Sequence, residues 1–361
     1  MYLLRMVLPL MGLIVIPILI YLYYKYQKKE IICLMYHNVF TEKTEGIISE
    51  EEFEKHMEYI KNIKTYKMEE LEKMNYILDK DSILVTFDDG YKNNYTKAFP
   101  ILKKYNIKAT IFLNTKYIEN DIDYMSWDEI KEMYNSGLVD FQLHTHSHYP
   151  IIRKPEIKGF FEKNEGDFVK REYFSIFREG LSKKEKSETD DFRDLDFTGL
   201  PVFKIRSQIA IRGLKLKEKF MDKYREIINT EDFRNKSIKE KKKFLNKLFK
   251  AGKNEFFEEI SNEEFDKKVE FEISENKRLI EEKLDKKAEY LSYPWGHRYK
   301  GNIEKIKKLG IKAFVMTTDK TDNIKINPEK IFRVNGDKIK DYNIFRKKID
   351  SVYRQNDRGK E

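Results

Sequence analysis

Apolar and polar positions along the chain fall into a repeated rhythm of short buried strands and one-sided helices. "IICLMY", residues 31–36, is a continuous apolar run of strand length. Behind it, Phe53, Met57 and Ile60 share one helical face, introduced by the capping pair Ser49 and Glu52. "ILVTF", 83–87, is a second strand, rich in the β-branched and aromatic types that suit a pleated buried surface. "NYTKAFPILKKYN" reads as a helix with Pro100 as its kink point, and "KATIFL", 108–113, as another strand. Ser126 and Glu129 form a second capping box, and Gly137 stands where that helix should stop. "LVDFQL", 138–143, is a strand. Near the far end, "AEYLSY" and "KAFVMTT" read as strands flanking a helix, "NIEKIKKLG", closed by Gly310. Alternation at these lengths predicts an α/β fold with a parallel sheet, open or closed into a barrel.

Between Pro150 and about Lys277 the rhythm fails. The segment is rich in lysine, glutamate and phenylalanine, and "SIKEKKKFLNKLFK" has the pattern of a capped, basic amphipathic helix with Ile238, Leu245, Leu248 and Phe249 on or near its apolar side. A mostly helical insertion is expected here. Its basic helix suits either a solvated cover over the domain or a contact with a membrane surface or anionic polymer. The expected organisation is 1–29, a transmembrane anchor; 30–150, the first part of the catalytic domain; 151–277, the insertion; 278–345, the second part; and 346–361, a charged tail.

The anchor is read from Met6–Tyr24, "MVLPLMGLIVIPILIYLYY", a nearly unbroken apolar run close to the roughly 20 residues a helix needs to cross a bilayer. Tyr21, Tyr23 and Tyr24 at its end match an interfacial aromatic belt. The run ends in "YKYQKKE", without the small-residue site of a cleaved signal peptide. Arg5 flanks one side; Lys25, Lys28 and Lys29 flank the other, a count that favours a cytoplasmic domain after the anchor. The remaining composition narrows the partners. Of 361 residues 37% are charged, and the net charge of +9 is dispersed among interleaved acidic residues. No stripe or motif for nucleic acid emerges. A single cysteine, Cys33, excludes an intramolecular disulfide.

Chemistry concentrates where strands end. There are only six histidines, and three lie in "HTHSHYP", directly after "LVDFQL". His37 directly follows "IICLMY", Asp88 and Asp89 end "ILVTFDD", and Pro294 and Trp295 follow "AEYLSY". Parallel α/β folds build their sites at the C-terminal ends of strands. Two imidazoles and one carboxylate, His144, His148 and Asp89, make the three-ligand set of a catalytic divalent metal, zinc being the first expectation. Asp88, beside it, could act as general base on a metal-activated water. Histidine suits the acid that must protonate a leaving group near neutral pH. His37 and His297 are the candidates, and His37, at a strand end, is favoured. His146 lies between the two ligands and should point away; His56, in an amphipathic helix, should be structural; His297 could touch substrate.

The motifs "TFDDGY", "HTHSH", and "YPWG" ahead of "LGIKAFVMTT" resemble those of the polysaccharide deacetylases of the NodB-homology, carbohydrate esterase 4 group. "LMYHNV" looks more specifically like the poly-β-1,6-N-acetylglucosamine deacetylases, whose motif order is circularly permuted so that the acid histidine comes first. The resemblance covers about residues 30–150 and 278–336. It implies a distorted (β/α) barrel of NodB type, with Asp88 as base, Asp89, His144 and His148 on the metal, and His37 as acid. It also implies that the Trp295 backbone N–H helps hold the oxyanion, with Tyr293 and Pro294 shaping the substrate and oxyanion region. Many family members carry an arginine just before the proline of the third motif, which orients the base. Here the place reads "LSYPWG", and the orientation of Asp88 has no residue to explain it.

The resulting expectation is a single-pass, membrane-anchored, metal-dependent deacetylase of N-acetylglucosamine-type glycans, its catalytic domain outside the cytoplasm where such glycans lie. An O-acetyl esterase, a deacetylase of lipid-linked sugars and a non-catalytic carbohydrate-binding module are the alternatives. Both aspartates would be superfluous in the last.

Overall fold

The computed structural model describes residues 30–42, 47–79, 82–339 and 341–353. The apolar run Met6–Tyr24 lies outside them, and among the described residues no helix is long and apolar enough to cross a membrane.

Seven parallel strands close into a barrel: β1 (Glu30–Tyr36), β2 (Ser82–Asp89), β3 (Ala109–Leu113), β4 (Val139–Leu143), β5 (Tyr290–Ser292), β6 (Ala313–Asp319) and β7 (Ile331–Asn335). Each pairs with the next, and β1 pairs with both β2 and β7, which closes the ring. The narrowest seam is β4–β5, where Leu143 and Leu291 are the paired residues. Two short strands extend the sheet, Lys64–Tyr66 parallel to β2 and Asp322–Asn323 antiparallel to β1.

Strand alternation divides the side chains between two cores. Ile83, Val85 and Phe87 of β2 join the large cluster under the surrounding helices. Leu84 turns inward to meet Cys33, Phe112, Val315 and Ile331. Thr86 and Asp88 follow Leu84 on the inner face, nearer the mouth. The expected capping boxes form at Ser49/Glu52 and Ser126/Glu129 and begin helices Glu50–Ile60 and Trp127–Asn135. Gly137 takes a positive φ of 77° just past the second, a conformation glycine adopts without strain. The helix expected from Asn94 begins as a wide π turn, Asn94–Ala98, and becomes regular at Phe99–Tyr105, with Pro100 in its first turn. The helical backbone runs on through the wide turn, where the Phe99 N–H donates to the Asn94 carbonyl, so the irregular hydrogen bonding falls just before the proline, which has no N–H to offer.

The insertion is mostly helical, as expected, and also holds a sheet that was not expected. Helices make up more of it than strands do, yet they pack around a four-stranded antiparallel sheet. Its order is Phe257–Glu259, Leu214–Leu216, Pro150–Phe160, Pro201–Ser207. Charged residues interrupt the apolar alternation of these strands, which hid them in the sequence. The phenylalanines explain themselves: Phe161, Phe177, Phe197, Phe203, Phe220 and Phe249 belong to a core separate from that of the barrel. In the basic helix Ile238–Ala251, Leu245 and Phe249 enter this core while Ile238 stays exposed. The boundary placed at 277 falls inside helix Asn262–Leu284, which packs Phe265, Val269, Ile273 and Ile280 on the barrel. Residues 342–353, overlapping the expected tail, form a helix that buries Phe345, Ile349 and Val352 against the barrel.

Candidate active site

The strand ends converge at one mouth of the barrel. Adjacent residues on a strand point to opposite faces, so Asp88 and Asp89 could not both face the mouth in a regular strand. Asp88 points inward in register; Asp89 reaches the site because its backbone turns to φ 78°. Thr145, His148 and Trp295, in the neighbouring loops, also have positive φ, at 71°, 56° and 52°. Such conformations cost free energy in non-glycine residues and gather where a site imposes them.

Asp89, His144 and His148 come together as the sequence predicts. All three are buried, and their ligand atoms lie within 4.8 Å of one another. Asp89 Oδ1 is 3.5 Å from His144 Nε2 and 3.8 Å from His148 Nε2. These separations are long for hydrogen bonds but suit the edges, roughly 3.4 Å, of a tetrahedron with metal–ligand bonds of about 2.1 Å. Each imidazole is oriented by its other nitrogen. His144 Nδ1 donates to the Ser292 carbonyl at 2.9 Å, and His148 Nδ1 lies 3.1 Å from Glu172 Oε1. Asn114 Nδ2 donates to Asp89 Oδ1 at 2.9 Å. The donor set and its supports therefore fit a divalent ion. Burial, reinforced by His148, pushes the His144 imidazole down to about 4 and keeps it in the neutral, ligating form. Burial also disfavours charge on His148, but Glu172 and the site carboxylates outweigh it and raise its pKa.

Asp88 is held by a residue the sequence reading missed. Arg333, on β7, donates from Nη1 to Oδ1 and from Nη2 to Oδ2, each at 2.7 Å. The guanidinium also reaches Thr86 Oγ1, Ser292 Oγ and the Met316 carbonyl. Arg333 thus supplies the guanidinium that "LSYPWG" lacks, helped by Ser292 of that motif, whose Oγ donates to Asp88 Oδ2 at 3.3 Å. Burial alone would raise the Asp88 carboxyl; Arg333, with His144 and His37, overcomes that and holds it well below the usual carboxylate range. The available signal was a lone arginine in the apolar run "IFRVN": a charge buried in a strand demands a partner.

His37 stands at the end of β1, its side chain 35% exposed, with Nδ1 2.6 Å from Asp337 Oδ2. Burial disfavours its cation, but the hydrogen bond and charge of Asp337, joined by Asp89 and Asp88, raise it to about 9. Asp337 was also missed; it follows the turn "NG" after β7, a place where a carboxylate ordinarily serves the turn.

The third motif is divided. The Trp295 ring packs over His148, 4.1 Å between centroids. Tyr293 and Pro294, expected to shape the substrate and oxyanion region, lie beneath the loop. Tyr293 is 2% exposed and stacks on Phe314 in the barrel core, and Pro294 is buried too. Their apolar surfaces are consumed in fixing the loop. His297 packs against the insertion, where its Nδ1 accepts from the Ser207 N–H and Arg206 contacts its Nε2. His146 points away, to Thr115 and Phe271. His56 is buried and stacks on Phe345.

Residues 76–171 match the family model of the polysaccharide deacetylases. Over 118 residues the chain is 36% identical to a poly-β-1,6-N-acetyl-D-glucosamine N-deacetylase of Staphylococcus aureus, a stretch covering 32% of this chain and 37% of that protein. The chain thus spans little more than a third of the length of the curated relative it matches. The fold is similar to that of a de-N-acetylase from Aggregatibacter actinomycetemcomitans, with a TM-score of 0.56 at 15% identity, over 89% of this chain and 99% of the other. It is also similar to IcaB from Ammonifex degensii, with a TM-score of 0.51 at 16% identity, over 90% and 97%. The chain is thus similar to the polysaccharide deacetylases over residues 76–171, and its seven-stranded barrel shares the fold of these two solved structures.

Proposed function

We propose that the chain is a metal-dependent hydrolase that removes N-acetyl groups from N-acetylglucosamine-type glycans. The observation that carries this reading is the pairing of two differently supported carboxylates at one mouth: Asp89 among the imidazoles, Asp88 held ionised by Arg333. A pure carbohydrate binder has no use for a buried, clamped carboxylate beside a metal-type donor set.

Asp89, His144 and His148 would hold the ion, zinc by the softness and number of the donors. A bound divalent ion would supply a Lewis acid that acidifies water and polarises an acyl oxygen. The chain's own groups do the rest. Asp88 takes a proton from the attacking water as a C–O bond forms at the acetamide carbon. The Trp295 backbone N–H donates to the developing oxyanion. His37, cationic near neutral pH, gives its proton to the nitrogen as the C–N bond breaks, releasing acetate and the free amine. An ester could be cleaved by the same groups, but it needs the acid less.

The substrate class follows from the relatives' names and the motif order. The apolar run Met6–Tyr24 supports single-pass anchoring in the cell membrane, with the domain on the outer side where the glycan lies; the flanking lysines count mildly against that side. The test is release of acetate by the full chain from N-acetylglucosamine oligomers, with and without a chelator. Chelator-sensitive release supports the reading. Release from O-acetylated glycans alone would replace it with the esterase, and binding without release would leave a lectin-like module.

A further inference from the structure

The insertion reaches the metal-type cluster through two consecutive residues. Helix α1 (Asp167–Glu179) reaches the mouth of the barrel through Arg171 and Glu172, 4% of Arg171 and 12% of the Glu172 side chain remaining exposed. Arg171 fastens the helix to the loop that follows β3. Its Nε and Nη2 donate to Asp121 at 2.9 and 3.1 Å, and Nη2 also donates to Asp123 at 2.8 Å. The guanidinium packs over the rings of Tyr124 and Phe192, 5.4 and 5.1 Å from their centroids. A planar bidentate group held among aromatic rings is a rigid anchor. The next residue is aimed by it. Glu172 Oε1 is buried, accepts no hydrogen bond within the chain, and sits 3.1 Å from His148 Nδ1. A buried carboxylate oxygen without an aligned donor costs free energy unless a neighbouring positive charge compensates it. The ring nitrogen opposite the ligating one is the place where metal-binding histidines take a carboxylate partner.

We propose that Glu172 is a positioning residue of the metal centre, supplied by the insertion, and that metal binding and docking of helix α1 on the barrel are thereby coupled. This rests on the metal-dependent reading above. Glu172 fixes His148 with its proton on Nδ1 and its lone pair on Nε2, toward Asp89. Drawing the Nδ1 proton toward Glu172 makes Nε2 the better donor to a cation, and a cation on Nε2 in turn makes that proton the better match for the Glu172 carboxylate. Linkage then requires that whatever the helix contributes to metal affinity, the metal returns to helix docking. The insertion is in this account a part of the catalytic centre and not a separate module appended to it.

The experiment measures zinc affinity of the full chain by competition with a chromophoric chelator, together with the visible spectrum of the cobalt-substituted protein. Glu172→Gln should bind zinc about 10- to 100-fold more weakly and shift the cobalt bands, since His148 loses its anionic partner. Glu172→Ala should weaken binding further. Arg171→Leu, with the carboxylate intact but the anchor gone, should weaken it less than either. Unchanged affinity and spectrum in Glu172→Gln and Glu172→Ala would overturn the assignment. Hydrogen exchange of the wild-type chain gives a reading that needs no variant: zinc should slow exchange of the amides in 167–179, and no protection there would overturn the coupling. Failure of the wild-type chain to bind any divalent ion is a distinct outcome, which overturns the metal-dependent reading together with this inference.

Discussion

Arg333 and Asp88 meet inside the barrel as a bidentate pair, both nitrogen–oxygen contacts 2.7 Å and both side chains essentially inaccessible to water. Two strands far apart in sequence, β2 and β7, are tied by it across the ring. It also fixes which way the Asp88 carboxylate faces, because a guanidinium fork accepts a carboxylate in one plane. Removing one partner of a buried pair leaves the other charge stranded, at a cost of about 3–5 kcal/mol. Arg333→Leu should therefore lower Tm sharply and abolish turnover. The double variant Arg333→Leu with Asp88→Leu should regain much of the stability and none of the activity. If the single and double variants melt alike, the pair is not what holds these strands in register.

Asp88 and Asp89 are adjacent in sequence and differently supported, and substitution should separate the roles proposed for them. Asp89→Ala, His144→Ala and His148→Ala should each lose bound metal, since a three-ligand site cannot spare one. Asp88→Asn should keep metal and lose turnover by roughly 10²-fold or more, as a general base would. Metal content by elemental analysis beside kcat decides it. Metal lost from Asp88→Asn and kept in Asp89→Asn would exchange the two roles.

Sequence and structure agree where the signal is local and diverge where a partner comes from afar. The strands "ILVTF" and "LVDFQL", the capping boxes at Ser49 and Ser126, and the clustering of Asp89, His144 and His148 are all written in short windows, because strand ends of one parallel barrel necessarily share a mouth. Arg333, Asp337 and Glu172 were illegible for a common reason. Each acts on a residue more than twenty positions away, and each sits in a stretch with an innocent local reading: a strand, a turn, a charged helix. Tyr293 shows the opposite case. Its motif is local, but whether an aromatic ring meets substrate or core depends on Phe314, which only the closed barrel brings beneath it.

The leaving group gives His37 a test independent of structure. His37→Ala should bind metal normally, since the ring lies outside the ligand set. An amine departs poorly unless protonated, whereas an activated aryl acetate departs unaided. The variant should therefore lose far more activity on N-acetylglucosamine oligomers than on an aryl acetate. Equal losses on both would mean that His37 is not the acid.

Asp337 raises the pKa of His37 and would thereby set the pH at which an acid there works. Its carboxylate, 2.6 Å from His37 Nδ1, is the largest of the influences that raise the imidazole from 6.5 to about 9, against the opposing effect of burial. The sign follows from the direction. A folded-state pKa above the unfolded value means that the His37–Asp337 pair contributes its full stability below about pH 6.5. That contribution is lost as pH rises through about 9. If His37 is the acid, the same titration removes its proton, and kcat/KM on acetamide substrates should decline on the alkaline side as His37 deprotonates. In Asp337→Asn the imidazole loses a hydrogen-bonded anion while burial still disfavours its cation. Its pKa must fall, and the alkaline limb should move to lower pH by a unit or more, with metal content unchanged. Because an aryl acetate does not need the acid, its profile should move much less. An alkaline limb that stays in place on the acetamide substrate would show that some other group governs it, and His37 would lose its claim to the proton.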